Sequence, residues 1–134
     1  MKVRFLSPFA IAGGLIVAAP PALPHHSFAA EYDANKPITL TGTVTKVEWM
    51  NPHARFYLDV KDEHGQLANW EFELGSPNGL MREGWTRNSL KQGDVVTVTG
   101  SLAKDGAKLV NARKVVLADG TQVLGASSQG NEAK

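Results

Sequence analysis

The chain is short, nearly neutral in charge and free of cysteine. Its 134 residues include 14 lysines and arginines and 13 aspartates and glutamates. The length is that of one small domain. The lack of cysteine excludes disulfides and thiolate metal sites, and the charge balance excludes the long-range field that attracts a protein to nucleic acid or anionic lipid.

Residues 1–24 have the pattern of a secretory signal peptide. Lys2 and Arg4 form a short basic start, and an uncharged, mostly apolar run follows as far as Ala19. A basic start, an apolar stretch of about 7–15 residues and a small-residue exit are typical of such signals, whereas a membrane-spanning helix needs about 20 apolar residues. We predict cleavage between Ala19 and Pro24, and therefore a mature periplasmic protein that is not inserted in the membrane. An uncleaved N-terminal anchor is the alternative.

Alternating apolar residues after the signal predict five strands. A polar lead-in covers residues 25–37, and the apolar register changes at Lys46, which predicts a bulge or bend in a long first strand. Residues 123–124 are a candidate last edge segment, and the small, polar residues 125–134 are predicted to be disordered. The period of two that half-buried strands show occurs at 38–49, 56–60, 70–74, 96–102 and 109–117.

A short helix is predicted between the third and fourth strands. Ser76 is suited to the N-cap position, Pro77 to the first helical position, and Gly84 to the end of the segment. Five strands with a long, bent first strand and a helix after the third follow the chain order of the OB-fold, a five-stranded Greek-key barrel. We therefore predict an all-β domain with a short helix, an OB-fold-like barrel over residues 25–124. Another small β-barrel or a sandwich is the alternative.

Strand parity also predicts which side chains point inwards. Residues 70, 72 and 74 of the third predicted strand should face the interior, so Glu71 and Glu73 should lie on the outer, solvated face. The side chains expected to share one core are Val44, Leu58, Trp70, Phe72, Leu74 and Val98.

The sequence has no recognisable catalytic constellation. It contains no cysteine nucleophile, no Gly-x-Ser-x-Gly elbow, no phosphate-binding loop and no His-Glu-x-x-His motif. A solvated strand face accounts for Glu71 and Glu73, and a helix cap accounts for Ser76. We therefore predict that the protein is not an enzyme.

Three motifs resemble a single family. They are His-His-Ser-Phe at 25–28, Asn-Pro-His at 51–53 and Phe-Glu-Leu-Gly-Ser-Pro at 72–77. Over roughly residues 25–124 the chain resembles an uncharacterised family of small exported proteobacterial proteins, described only as a domain of unknown function. Pro24 departs from that family's pattern, which places a small residue before the histidine pair. The resemblance implies a periplasmic OB-like module and brings no known activity with it.

Three histidines are candidate metal ligands, namely His25 and His26 in the lead-in and His53 after the first strand. Imidazole suits copper, zinc and nickel, and the neighbouring Met50 thioether and Trp49 indole favour copper(I). In Trp49, Met50 and His53 the chain is similar to small periplasmic copper chaperones, which are also OB barrels, but it lacks their second strand methionine. Copper is therefore the cofactor candidate. In the alternative interpretation His53 caps a turn and Trp49 belongs to the core.

A second candidate surface lies on the outer face of the second and third strands, where OB barrels bind their ligands. Arg55, Tyr57, Asn69 and Glu71 could bind a small molecule or a periplasmic protein there through stacking and hydrogen bonds. A nucleic-acid partner is not expected, because the chain without residues 1–24 has 12 basic and 13 acidic residues. The sequence therefore predicts an exported, non-enzymatic binding module. Its ligand is copper held by histidines or, alternatively, a molecule on this face with purely structural histidines.

Overall fold

The computed structural model of the chain describes residues 28–124, which form mostly β structure. The predicted signal peptide (1–24), the histidine pair and the predicted disordered tail (125–134) lie outside the described residues. No helix within 28–124 is long and apolar enough to cross a membrane. In chain order the elements are α1 (Phe28–Glu31), β1 (Tyr32–Glu48), β2 (Arg55–Lys61), β3 (Leu67–Glu73), α2 (Pro77–Arg82), β4 (Val95–Ala103), β5 (Leu109–Leu117) and β6 (Gln122–Leu124).

The six strands form one sheet in the order β3-β2-β1-β4-β5-β6. Neighbours in this order pair antiparallel. In addition, β3 pairs with β5 in parallel through Glu71–Leu109, Phe72–Val110 and Glu73–Asn111. This extra pairing links β1, β2, β3, β5 and β4 into a closed circuit of hydrogen-bonded strands.

The long first strand is partly as predicted. Its register against β2 shifts between Val44 and Lys46, which confirms the predicted irregularity. The predicted start at residue 38 is wrong, because Tyr32 and Asp33 already pair with β4 before a second register shift that ends at Pro37. The residues between Asp33 and Pro37 are exposed and do not alternate apolar with polar side chains, so the sequence pattern does not show this first part of the strand.

One glycine lets β1 and β2 approach each other closely. A Cβ atom added to Gly42 would clash with the backbone carbonyl oxygen of Asp59 and contact the Val60 side chain. Only a residue without a side chain fits where two backbones come this near. The β1 and β2 backbones therefore approach closely at Gly42.

The main core lies on one side of the strands and follows the predicted parity. The rings of Phe56 and Phe72 stack with centroids 5.0 Å apart and planes 8° from parallel. Trp70 was expected in the interior but is only partly buried, packed against the edge of this core. The fully enclosed apolar residues of the main core include Val44, Phe56, Leu58, Phe72, Leu80, Val96, Val98, Val110 and Val115.

The predicted helix forms with its predicted cap. The Ser76 hydroxyl accepts a hydrogen bond from the Gly79 amide at 3.2 Å, and Pro77 opens α2. Gly84 follows with a φ of 91°, which favours glycine and turns the chain. The segment beyond it returns Trp85 to the core, where this side chain is buried.

A second, smaller cluster lies on the opposite side of the sheet. Phe28 and Tyr32 pack there with Ala103 and with the partly buried Leu109. Because Leu109 and Val110 alternate across β5, the cluster faces away from the main core. Residues 28–33, namely α1 and the first two residues of β1, form a docked segment whose Phe28 and Tyr32 rings pack on the outer face of the sheet. The predicted polar lead-in is therefore wrong over these residues.

Candidate functional site

The outer face of β1, β2 and β3 carries a continuous set of polar side chains. In the sheet register Glu48 lies opposite Arg55, which in turn lies opposite Glu73. Two residues further along β2, Tyr57 lies opposite Glu71. Of the four residues that the sequence assigns to this face, Arg55 and Tyr57 alternate with the buried Phe56 and Leu58 of β2. Asn69 and Glu71 lie opposite Asp59 and Tyr57 on β3.

Arg55 connects the two carboxylates of β3. Its Nη1 donates to Oε1 of Glu71 at 2.7 Å, and its Nη2 lies 3.6 Å from Oε2 of Glu73. Burial alone would lower the pKa of the Arg55 guanidinium, but the two carboxylates outweigh it and raise this pKa. The Arg55 and Glu71 side chains are still 41 % and 28 % exposed. Both therefore remain accessible to a ligand.

Tyr57 belongs to a second polar group on the same face. Its hydroxyl donates to Oε2 of Glu48 at 3.2 Å, and the Lys46 ammonium pairs with Glu48 and lies 5.4 Å from the centroid of the Tyr57 ring. The hydrogen bond from Lys46 lowers the pKa of Glu48, and the Tyr57 hydroxyl acts in the same direction. Burial and the nearby Glu71 carboxylate raise the pKa of Tyr57. The phenol is therefore held neutral beside two carboxylates.

Asn69 lies at the far end of this face and is already engaged. Its amide donates to Oδ1 of Asp59 at 2.9 Å and to Oγ1 of Thr45 at 3.2 Å. Thr45 in turn donates to the Tyr57 carbonyl oxygen at 3.3 Å. These contacts tie β1, β2 and β3 together at the bulge.

Glu73 is the main departure from the predicted face. The sequence places it among solvated carboxylates, but it is only 6 % exposed. The docked segment covers it, and the Tyr32 hydroxyl donates to its Oε2 at 3.1 Å. Burial, followed by the charge of Glu73, raises the pKa of Tyr32 far above the ordinary value of a phenol. The prediction of a solvated Glu73 is therefore wrong, because Tyr32, which the sequence assigns to a polar lead-in, lies over it.

His53 lies beside this buried carboxylate, in the loop between β1 and β2. Its Nδ1 is 3.2 Å from the Leu74 carbonyl oxygen and 4.0 Å from Oε1 of Glu73. A carbonyl oxygen only accepts, so in the neutral ring Nδ1 carries the proton and Nε2 keeps its lone pair. The side chain is 34 % exposed. The loop also contains a cis peptide bond between Asn51 and Pro52.

The two neighbours that the sequence associates with His53 differ in environment. Trp49 packs against the main core, which agrees with its structural interpretation. Met50 is 54 % exposed. Within residues 28–124, no three histidine, aspartate or glutamate side chains come together in a way that could hold a metal ion. His25 and His26, the other two candidate ligands, lie outside that range, so the three-histidine site remains a prediction.

Among residues 28–124, two open grooves lie apart from Arg55, Glu71 and His53. One, of about 450 Å³, runs over Gly42 between Asp59 and Lys61 and is flanked by the exposed Leu67 and Val95. The other, of about 360 Å³, lies beside α2 and β6. Neither groove includes Arg55, Glu71 or His53.

Comparison with known proteins places the chain in a family. Residues 12–111 match the model described as "Family of unknown function (DUF6152)". The chain belongs to this family. No curated protein and no solved structure matches it. The match confirms that the chain carries an uncharacterised domain, while the proteobacterial source and export implied by the resemblance stay predictions.

Sequence reasoning missed two residues of the site, Tyr32 and Glu73. One available signal was the spacing of Phe28 and Tyr32, since aromatic residues four positions apart lie on the same side of a helical turn. The two rings do stack, with centroids 5.5 Å apart. A buried aromatic pair in a segment read as polar would have indicated that the segment docks on the domain.

Proposed function

We propose that this protein is an exported, periplasmic, non-enzymatic binding module built on an OB-like barrel. The basic, then apolar, then small-residue pattern of residues 1–24 supports export. The closed circuit of β1, β2, β3, β5 and β4, with α2 between β3 and β4, supports the barrel. An OB barrel binds ligands on strands two and three and in the adjoining loops, where His53, Arg55 and Glu71 lie.

The proposed ligand is a copper ion held by His53 together with His25 and His26. The observation that carries this proposal is the orientation of the His53 ring. Ligating histidines almost always donate their second ring N–H to a carbonyl or carboxylate, and Nδ1 of His53 is 3.2 Å from the Leu74 carbonyl oxygen. This contact leaves the lone pair of Nε2, on a partly exposed ring, to coordinate the metal ion.

Chain length permits the histidine pair to contribute. His26 precedes Phe28 by two residues, so their Cα atoms are separated by at most about 7 Å. Phe28 belongs to the docked segment that reaches Glu73 through Tyr32, and Glu73 is the neighbour of His53. The histidine pair thus adjoins, in sequence, the segment whose Tyr32 contacts Glu73, which supports its proposal as the source of the remaining nitrogen ligands.

The test is a titration with copper(II), and with copper(I) under reductant, of protein with a verified mature N-terminus. His53→Ala should weaken binding by at least about 10-fold, a loss that removing even an outer-shell partner can cause. His64→Ala is the matched control, because His64 is exposed in the β2–β3 turn. Affinity should also fall as the pH is lowered, because protons compete for the neutral imidazole. Equal affinities of all three proteins would exclude the copper site.

The second candidate ligand is a small polar molecule or a periplasmic protein bound on the face of Arg55, Tyr57, Asn69 and Glu71. The partial exposure of the Arg55–Glu71 ion pair favours it, because a ligand can reach both charges without unfolding the sheet. A ligand that binds only the folded state raises the melting temperature. Screening small polar compounds by thermal shift should therefore identify binders whose effect is lost in Arg55→Gln and kept in Lys61→Gln. Compounds that stabilise both variants equally would contradict a site on this face.

A further inference from the structure

The groove over Gly42 has a polar floor between two exposed aliphatic side chains. Its volume is about 450 Å³, within the range of about 300–1,000 Å³ that is usual for ligand sites. Leu67 is 61 % exposed and Val95 is 46 % exposed. Single apolar side chains on a surface need no explanation, but these two flank the same groove. The residues that line this Gly42 groove are Thr41, Gly42, Thr43, Asp59, Lys61, Leu67 and Val95.

The sheet register gives the distance between the two aliphatic side chains. Leu67 lies opposite Lys61 of β2, and Val95 lies opposite Thr43 of β1. Leu67 and Val95 therefore belong to the first and the last of four adjacent strands, β3-β2-β1-β4. Because neighbouring strands are about 4.8 Å apart, a line from Leu67 to Val95 crosses the groove diagonally over about 14–16 Å. An occupant that contacts both side chains must be elongated.

The floor of the groove offers hydrogen-bond donors and acceptors without a net charge. Its charged residues are Asp59 and Lys61. Oδ1 of Asp59 accepts the Asn69 amide at 2.9 Å. The Lys61 ammonium has no ion-pair or hydrogen-bond partner within residues 28–124. One acidic and one basic group favour neither an anion nor a cation, whereas a peptide backbone supplies both the N–H groups and the carbonyl oxygens that they bind.

We propose that the Gly42 groove binds an extended peptide segment that carries apolar side chains four positions apart. In an extended chain such side chains lie on the same side, about 13 Å from each other. With the reach of the side chains themselves, one packs on Leu67 and the other on Val95. The backbone between them donates to Asp59 and accepts from Lys61. The groove includes neither His53 nor Arg55, so this proposal does not rest on the copper site or on the Arg55 face.

The first measurement compares two capped peptides of identical composition. Ser-Val-Ser-Gln-Ser-Val-Ser has its valines four positions apart, on one side of an extended chain. Ser-Val-Val-Ser-Gln-Ser-Ser has them at adjacent positions, which point to opposite sides. The first peptide should bind at least about 10-fold more tightly, because it alone buries both valines at once. In NMR titrations it should shift the amide signals of residues 41–43, 59–61 and 95–97.

The second measurement removes one end of the groove at a time. Leu67→Ser and Val95→Ser change exposed positions, which usually has little effect on stability, and circular dichroism verifies that both variants are folded. Each should weaken binding of the first peptide by roughly 10-fold. Met81→Ser is the matched control, because Met81 is 52 % exposed and lies on α2, outside the groove. Its affinity should equal that of the native protein.

The outcomes separate this groove from the other proposed sites. Equal affinity for the two peptides overturns the spacing, and equal affinity of the native protein, Leu67→Ser and Val95→Ser overturns the groove as the binding site. Self-association of the native protein that is lost in Leu67→Ser, measured by analytical ultracentrifugation, identifies a second copy of the chain as the occupant and also overturns the proposal.

Two further variants keep the result independent of the proposed function. His53→Ala and Arg55→Gln should bind the first peptide as tightly as the native protein does, whether or not either variant changes the binding of copper or of small polar compounds. Peptide affinity that falls in Arg55→Gln and not in Leu67→Ser would move the peptide to the Arg55 face and overturn the Gly42 groove.

Discussion

At the scale of single residues, the environment of Glu73 shows how the position of a side chain in the fold changes its chemistry. Glu71 and Glu73 are two residues apart on β3 and both bind Arg55, yet only Glu73 is buried. The difference comes from Tyr32, which covers Glu73 and donates to it. Two carboxylates that look equivalent in the sequence therefore have different roles, one accessible at the surface and one inside a hydrogen-bonded cluster.

Replacement of Tyr32 by phenylalanine should destabilise the fold and change its response to alkali. Hydrogen bonds to charged groups contribute about 1.5–3 kcal/mol, so the free energy of unfolding should fall by about that amount in urea titrations. Burial and Glu73 raise the pKa of Tyr32 above its ordinary value of 10.0, so the unfolded chain loses this proton first. Native stability should therefore decrease as the pH rises above about 10.

The alkaline loss of stability should be smaller in Tyr32→Phe, which has no such proton. Tyr57→Phe serves as the comparison, because the pKa of Tyr57 is raised as well but its ring is more exposed. Urea titrations at a series of pH values between neutrality and strong alkali would measure both effects. Parallel pH profiles for the native protein and Tyr32→Phe would show that Tyr32 does not titrate differently on unfolding.

At the scale of elements, β2 and β3 act as a two-sided unit. One side provides the stacked pair Phe56 and Phe72 in the core, and the other provides Arg55, Tyr57 and Glu71 on the polar face. The same hairpin therefore stabilises the fold and displays the candidate site. Its register must be kept for either role, since a slip by one residue would exchange the two sides.

Truncation of Phe72 tests the inner side of this hairpin. Phe72→Ala removes a fully buried ring and should cost about 3–5 kcal/mol, a large part of the ~5–15 kcal/mol that stabilises a typical domain. Trp70→Ala, two positions earlier and only partly buried, should cost less. Thermal melts followed by circular dichroism measure both, and a Phe72→Ala melt within a degree or two of the parent would contradict this position of β3.

Substitution of Gly42 tests the close approach of β1 and β2. The Cβ atom of Gly42→Ala would meet backbone atoms of Asp59, which cannot rotate away as a side chain could. Overpacking of this kind typically costs about 1–3 kcal/mol. Thr43→Ala, at the exposed neighbouring position, should be close to neutral. Urea unfolding of both variants gives the comparison, and equal stabilities would show that the strands can separate at little cost.

At the scale of the whole molecule, the closed circuit of strands and the docked N-terminal segment determine which parts of the chain meet. The parallel pairing of β3 with β5 completes the circuit, and the Phe28–Tyr32 segment lies across its outer side. As a result, the start of the domain and the loop between β1 and β2 approach the same carboxylate. The candidate site therefore depends on pairings between distant parts of the chain.

Export predicts the mass of the mature protein. The charge-free run after Lys2 and Arg4 is typical of a cleaved signal, so protein recovered from the periplasm should lack residues 1 to roughly 19–24. Intact-mass spectrometry of the soluble periplasmic fraction measures this directly, with protein from a whole-cell extract as the comparison. Soluble periplasmic protein that still begins at Met1 would contradict the prediction.

Much of the fold was predictable because it follows from local patterns. The alternation in β2 at Phe56, Leu58 and Val60, and the cap formed by Ser76 and Pro77, each depend on residues within a few positions of one another. The four face residues on β2 and β3 were predicted for the same reason, since parity alone places them opposite the core. The mostly β fold with a short helix between the third and fourth strands was predictable in the same way.

The sequence by itself thus determined the strands, their inner and outer sides and the helix cap, because periodicity and capping are short-range effects. The tertiary structure alone decided that Tyr32 begins β1, that Glu73 is buried and that His53 lies beside it. The hydrogen bond between Tyr32 and Glu73 joins residues 41 positions apart. Such a contact leaves no periodic trace in the sequence, because it depends on how one segment packs across strands that assemble elsewhere in the chain.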